Sequence, residues 1–310
     1  MKKFLALIAS VILAVSLFTF AGCGEDKGTI KGNYKEATAE EVQTALESVD
    51  EEKLKENVNG LEIGSKLDFS MTADGKTSKV DINVGGKLTL GEEIFASLTF
   101  GMKTTGEENE ELKVNAYLSG DYAYADIVGD AVGESGLKAK VNYADLLQDL
   151  LPEDEEFADG EIEGDFTLDI GKALELLKTY KINVGMDTSD GLKFKLSVTE
   201  ETVWTILESF VPEFAIYENM VTFNSFVFDC YFSINKDGSF GMASTKVNID
   251  AKISIPAIQG QEIPETSFKL FGYDEIKVYN GAVTVPEGIE ADENYTDMTE
   301  YVKQLISGLM

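Results

Sequence analysis

The chain has 310 residues, with 56 acidic side chains, 26 basic ones that are all lysine, no histidine and a formal charge of −30. An acidic surface without guanidinium forks repels phosphate backbones and cannot grip phosphate or guanine bidentately, which excludes nucleic acid as a partner. Without histidine, Ser-His-Asp and Cys-His machinery, HExxH helices and two-His metal sites are excluded too, while 44% hydrophobic residues are enough for a sizeable core.

The amino terminus has the layout of a secretory signal: basic Met1-Lys2-Lys3, an apolar run from Phe4 to Phe20, then the small residues Ala21 and Gly22 before Cys23. At 17 residues the run sits at the short limit for a spanning helix. Phe20-Ala21-Gly22-Cys23 resembles the lipobox of bacterial lipoproteins, with Phe20 where the family usually has an aliphatic residue. The resemblance implies cleavage before Cys23, diacylation of its sulfur with palmitate-type chains, and residence on the extracytoplasmic face of the cell membrane. Two acyl chains suffice for stable anchoring.

Three segments are therefore expected: a lipoprotein signal peptide over 1–22, a lipidated flexible tether over 23–36 containing Gly24, Gly28 and Gly32, and a single ectodomain over 37–310. Loss of Lys2 and Lys3 takes the mature balance to 24 − 56 = −32. Spread over the solvated strand faces and loops, that charge is expected to disfavour adsorption of the body onto anionic lipid, leaving the acyl chains to hold it alone. With Cys23 acylated, Cys230 is the remaining thiol, and no internal disulfide can form.

Thr38-Ala39-Glu40-Glu41 is a capping box, and Val42, Ala45, Leu46, Val49 and Leu54 continue at near-helical spacing, predicting a helix over 38–58. After Gly60 the period changes to two. Leu67, Phe69, Met71 and Ala73 alternate with polar residues up to Asp74-Gly75, whose positive φ angles suit a tight hairpin, and Val80, Ile82 and Val84 return. Alternation recurs over 112–118, 137–143, 192–198 and 247–255, which means antiparallel strands with one wet face and disfavours a doubly wound fold. Helices are predicted over 144–151, 171–180, 200–211 and 296–309. The expected fold is α+β: a curved, mainly antiparallel sheet, an unclosed half-barrel, covered by several amphipathic helices.

Motifs for chemistry are few. Ser233-Ile234-Asn235-Lys236 matches S-x-x-K but runs from a strand into the turn Asn235-Lys236-Asp237-Gly238, not into a helix. The acidic clusters at 107–111 and 153–165 lack the EF-hand ladder and read as solvated loops, so no metal and no cofactor is expected. The strongest constellation is apolar. Phe226, Phe228, Cys230, Phe232 and Ile234 share one strand face, and Trp204 stands on a helix that could press on it. Cys230 is expected to be inert. Phe226, Phe228, Phe232, Ile234 and Trp204 are the candidate lining of an apolar cavity if sheet and helices do not fully close.

A lipobox, an amphipathic first helix from Thr38 to Val58, alternating strands from Leu67 and intervening helices together look like the lipoprotein and lipid carriers of the LolA and LppX type, over about residues 37–290. The resemblance is architectural. It implies an unclosed antiparallel half-barrel around an apolar cavity, and the absence of arginine, which LolA-type carriers use inside that cavity, puts the chain nearer the LppX kind. The expectation is a noncatalytic membrane-anchored surface lipoprotein that binds or carries a lipid or other apolar ligand. The alternatives are a structural or protein-interaction module with a closed core, or a carboxylate-based glycan hydrolase of the envelope.

Overall fold

The computed structural model describes residues 27–50, 53–54, 58–89, 95–106, 109–143, 145–146, 175, 177–210, 218–254 and 264–307. Cys23 and the predicted signal peptide lie outside them. Among the described residues thirteen strands form one sheet: β1 (Lys35–Glu36), β2 (Gly60–Ala73), β3 (Lys76–Thr89), β4 (Ala96–Thr105), β5 (Glu110–Ser119), β6 (Tyr122–Gly129), β7 (Gly133–Asn142), β8 (Asn183–Asp187), β9 (Leu192–Val198), β10 (Val221–Ile234), β11 (Phe240–Ile253), β12 (Thr266–Val278) and β13 (Thr296–Asp297). Their order is β1-β8-β9-β10-β11-β12-β2-β3-β4-β5-β6-β7-β13. Every pairing is antiparallel except that of β13 with β7. Because β1 and β13 end the order without meeting, the curved sheet is unclosed.

The sheet is built from hairpins. At the β2–β3 turn Asp74 and Gly75 adopt φ of 55° and 73°, the pair of positive angles that matches strand twist. The chain then meanders through β7, while β12 closes back on β2 with Leu270 opposite Phe69 and Gly272 opposite Leu67. Register puts one set of side chains on a common apolar face: Leu196, Cys230, Thr245, Asp274 and Ser65 at one level, Phe194, Phe232, Ala243, Ile276 and Ile63 at the next. A bulge between Phe223 and Ser225 returns Phe223 to the face of Phe226, and their rings meet edge-on at 5.3 Å.

Helices are fewer than expected. Among the described residues there are α1 (Ala39–Glu47), α2 (Glu200–Phe210) and α3 (Thr299–Ser307), plus helical residues at 53–54, 143, 145–146, 175, 177–179 and 218, of which 53–54 fall within the predicted 38–58 and 143–146 and 175–179 lie within or beside the predicted 144–151 and 171–180. The sheet, not a helical layer, dominates the fold. The single helix predicted over 38–58 is interrupted: α1 stops at Glu47, and residues 53–54 are helical again. Its start is as read, with the Thr38 hydroxyl accepting from the Glu41 amide and the Glu41 carboxylate accepting from the Thr38 amide. Its end is set by Ser48, whose hydroxyl donates to the Ala45 carbonyl at 2.6 Å in place of the next turn. The apolar spacing beyond it is still used, because Leu54, 1% exposed, inserts against Ile234, Phe240 and Ala243.

Residues 27–36 also differ from the expected free tether. They cross the polar face from β12 to β8 and enter the sheet as β1. The Gly28 amide donates to Glu275 Oε1 at 3.0 Å, Lys193 donates to the Lys31 carbonyl at 3.3 Å, and the Asn33 amide donates to Asp187 Oδ2 at 2.8 Å. Gly28 has φ of +73°, and a β-carbon there would come within 2.3 Å of Tyr273 Cβ. Only glycine gives both that angle and that approach. A second strap, residues 285–297, lies over the polar face of β5–β7, where Ile289 and Tyr295 pack on Tyr124.

A candidate apolar binding face

The apolar face is not uniform along the sheet. Under α1 and Leu54 it is filled. Phe240 is 1% exposed, its ring 5.6 Å from that of Phe232, and Ile234 is buried beside it. Val42 of α1 packs on Phe194, with Phe232 again at the margin. Two of the predicted lining residues, Phe232 and Ile234, therefore belong to closed packing. Phe226 and Phe228 sit further along β10 and are half-buried, as is Trp204, which stands 6.4 Å from Phe223. The structure thus brings Phe226, Phe228 and Trp204 to one stretch of the face and Phe232 and Ile234 to another.

Between the two stretches runs a polar line, Cys230–Thr245–Asp274–Ser65, across four strands. Burial pushes the Cys230 thiol up to about 11, and Thr245 contacts its sulfur at 3.9 Å. A thiol held that far above neutral pH carries almost no thiolate, so Cys230 is not poised as a nucleophile.

Across β2 to β7 the same face continues with Val84, Phe100, Val114 and Ile127, which lie in register on β3, β4, β5 and β6. All four are half-buried, and Met71, Leu98 and Leu137 on this face are exposed to 43%, 39% and 38%. No residue of this half was among the predicted lining. Its signal was the alternation of Leu112 to Leu118 and of Ala96, Leu98, Phe100 and Met102, legible strand by strand but not as one surface.

Two grooves lie beside α1. One of about 790 Å³ is bounded by Thr38, Glu41, Ala45, Met186 and Leu192, and one of about 250 Å³ by Val42, Leu177, Ile182 and Val184. Neither is lined by Phe226, Phe228 or Trp204.

The polar face holds two aspartate-centred clusters, each beneath a strap. Buried Asp229 accepts from the Ser197 hydroxyl at 2.6 Å and the Tyr231 hydroxyl at 3.2 Å and pairs with Lys195 at 3.0 Å. The Tyr34 ring stands 6.0 Å from Tyr231, and burial followed by the charge of Asp187 raises the Tyr34 phenol to about 12. At the other end the Tyr295 hydroxyl donates to Asp126 at 2.7 Å, and Lys138 bridges to Asp292 at 3.0 Å while stacking over the Tyr295 ring. Burial first, then that hydrogen bond, raises the Tyr295 phenol. These donor-saturated carboxylates fasten the straps.

Asp68 and Asp81 face each other on β2 and β3, and their hydrogen bond, followed by burial, raises the Asp81 carboxyl. Among the described residues no group of three or more carboxylate or cysteine side chains is placed to hold a metal, and no helix is long and apolar enough to cross a membrane. Compared with protein-family models and with curated protein sequences, the chain finds no match.

Proposed function

We propose that this is a noncatalytic lipoprotein, anchored through Cys23 to the extracytoplasmic face of the cell membrane, whose unclosed sheet receives a lipid or other apolar ligand on its apolar face. The observation that carries the reading is the half-exposed apolar stretch from β2 to β7, on the same face of the sheet as the filled core at β9–β12. A soluble domain that had finished burying its apolar area would gain about 25 cal/mol for every Å² of this face removed from water, and an unclosed sheet leaves that gain to a ligand. The architecture is in keeping with the half-barrel of lipid carriers of the LppX type, with the helices as a partial cover. Phe226, Phe228 and Trp204 are the proposed contacts on β10 and α2, and Val84, Phe100 and Val114 those on β3, β4 and β5.

Trp204 is the sole tryptophan, so its emission reports one place. Titrating the protein with phospholipid dispersed below its aggregation limit is expected to shift Trp204 emission to shorter wavelength in a saturable way. No change with any phospholipid or free fatty acid tried would overturn the ligand part of the proposal and leave a scaffolding role.

A further inference from the structure

The strand residues of the polar face carry the opposite charge from the chain as a whole. Among residues paired in β2–β12, β3, β7, β9, β11 and β12 each place two lysines on that face, and β2, β4 and β5 one each. These thirteen lysines meet nine carboxylates there, a balance of +4 in a chain of −30, so the remaining residues hold −34. Of the expected spread of negative charge over strand faces and loops, the paired polar-face positions of β2–β12 thus carry no net share. Between the two straps, on β11, β12, β2, β3 and β4, eight lysines stand against five carboxylates. Lys79, Lys103, Lys269 and Lys277 are exposed.

The N-terminal strap starts in the middle of this zone. Lys27 lies over the Tyr273 ring of β12 at 5.6 Å, and Gly28 is fixed to Glu275. Cys23 is four residues before Lys27. Four extended residues span at most ~14 Å, so acyl chains on Cys23 would enter a bilayer within that distance of the lysine-rich zone. The strap's fastening at Asp187, Lys193 and β1 prevents the body from swinging away on a long leash. Charges interact with a membrane over a Debye length of about 8 Å at physiological salt, so the face nearest the bilayer outweighs a larger charge behind the sheet.

From charge complementarity and the point where the chain leaves the face, we infer that the lysine-rich polar face between the straps lies on an anionic bilayer, with the apolar face and α1 turned outward. The inference rests on the proposed lipid anchor and deepens it: the acyl chains hold the protein at the membrane, and the lysines set which side faces it.

The test uses the full lipidated chain reconstituted in vesicles of phosphatidylglycerol or of phosphatidylcholine, with acetylation of individual lysines followed by mass spectrometry. Lys79, Lys103 and Lys269 are expected to react about fivefold more slowly on phosphatidylglycerol, with the difference collapsing at high salt. Lys178, beside α1 on the other side of the sheet, should react equally on both. The exposed-site variant Lys79→Glu/Lys103→Glu/Lys269→Glu should abolish the slower labelling of Lys277. Equal labelling on the two lipids overturns the inference, and protection in native membranes but not on phosphatidylglycerol overturns it in favour of an acidic protein partner. The mass of the N-terminal peptide reads the anchor separately. An acylated chain without protection sinks this orientation alone, whereas an unacylated chain that still shows protection on phosphatidylglycerol sinks the anchor and keeps the face.

Discussion

Replacing Phe240 with alanine is expected to remove about 3–5 kcal/mol of stability, the range for a fully buried aromatic cut back to its β-carbon. Phe240 opens β11 at the filled end of the apolar face, 1% exposed, against Leu54, Ile234 and Ala243, with its ring tilted against that of Phe232. The loss is a large share of the 5–15 kcal/mol available to an ordinary domain, so urea unfolding of Phe240→Ala should show a much earlier midpoint. Phe240→Leu keeps most of the volume and should cost under about 1.5 kcal/mol. Phe100→Ala on β4 removes a half-buried ring and should cost clearly less than Phe240→Ala. Equal losses at Phe100 and Phe240 would mean that the face is packed alike at both ends, and the apolar site would go with that result.

Replacing Cys23 with serine should move the protein from the membrane fraction to the soluble one, a change of more than tenfold in the ratio. Two acyl chains give effectively stable attachment, whereas the protein without them has only its lysine-rich face to hold it, at an affinity that high salt removes. Fractionation in high salt therefore isolates the contribution of the anchor. Intact mass should show the signal removed and a diacylglyceryl group on the wild-type cysteine. A Cys23→Ser chain that remained in the membrane under high salt would show that Phe4 to Phe20 is retained as a span.

Much of the sheet was readable from alternation because its two faces differ so plainly: Val247, Ile249 and Ala251 against Asn248, Asp250 and Lys252 become the apolar and polar faces of β11. Other strands hid themselves for physical reasons. In β6 the polar face is built from Tyr122, Tyr124 and Asp126, so amphipathic rings stand where a charge would have marked the alternation. In β12 Phe271 and Tyr273 lie on the polar face while Asp274 lies on the apolar one, which inverts the pattern locally. The straps were illegible for another reason. Gly28, Asn33 and Tyr34 have the composition of a loose linker, and only the partners they find far along the chain, Glu275, Asp187 and Tyr231, make them structural.

The candidate lining was legible in part. Position parity placed Phe226, Phe228, Phe232 and Ile234 on one face, but parity says nothing about what covers a face. Leu54 and Phe240 claim the far end of the strip, and that required the fold. The charge arithmetic had the same limit: a total of −30 contains no information about a face of +4.

The central claim, that the unclosed sheet holds an apolar molecule on its apolar face, is tested most directly by the native mass of the Cys23→Ser chain, recovered soluble and without its covalent lipid. The account predicts a mass above that of the polypeptide by one lipid-sized molecule, lost on denaturation and restored by incubation with phospholipid vesicles. A native mass equal to that of the bare polypeptide, both as isolated and after the incubation, would contradict it.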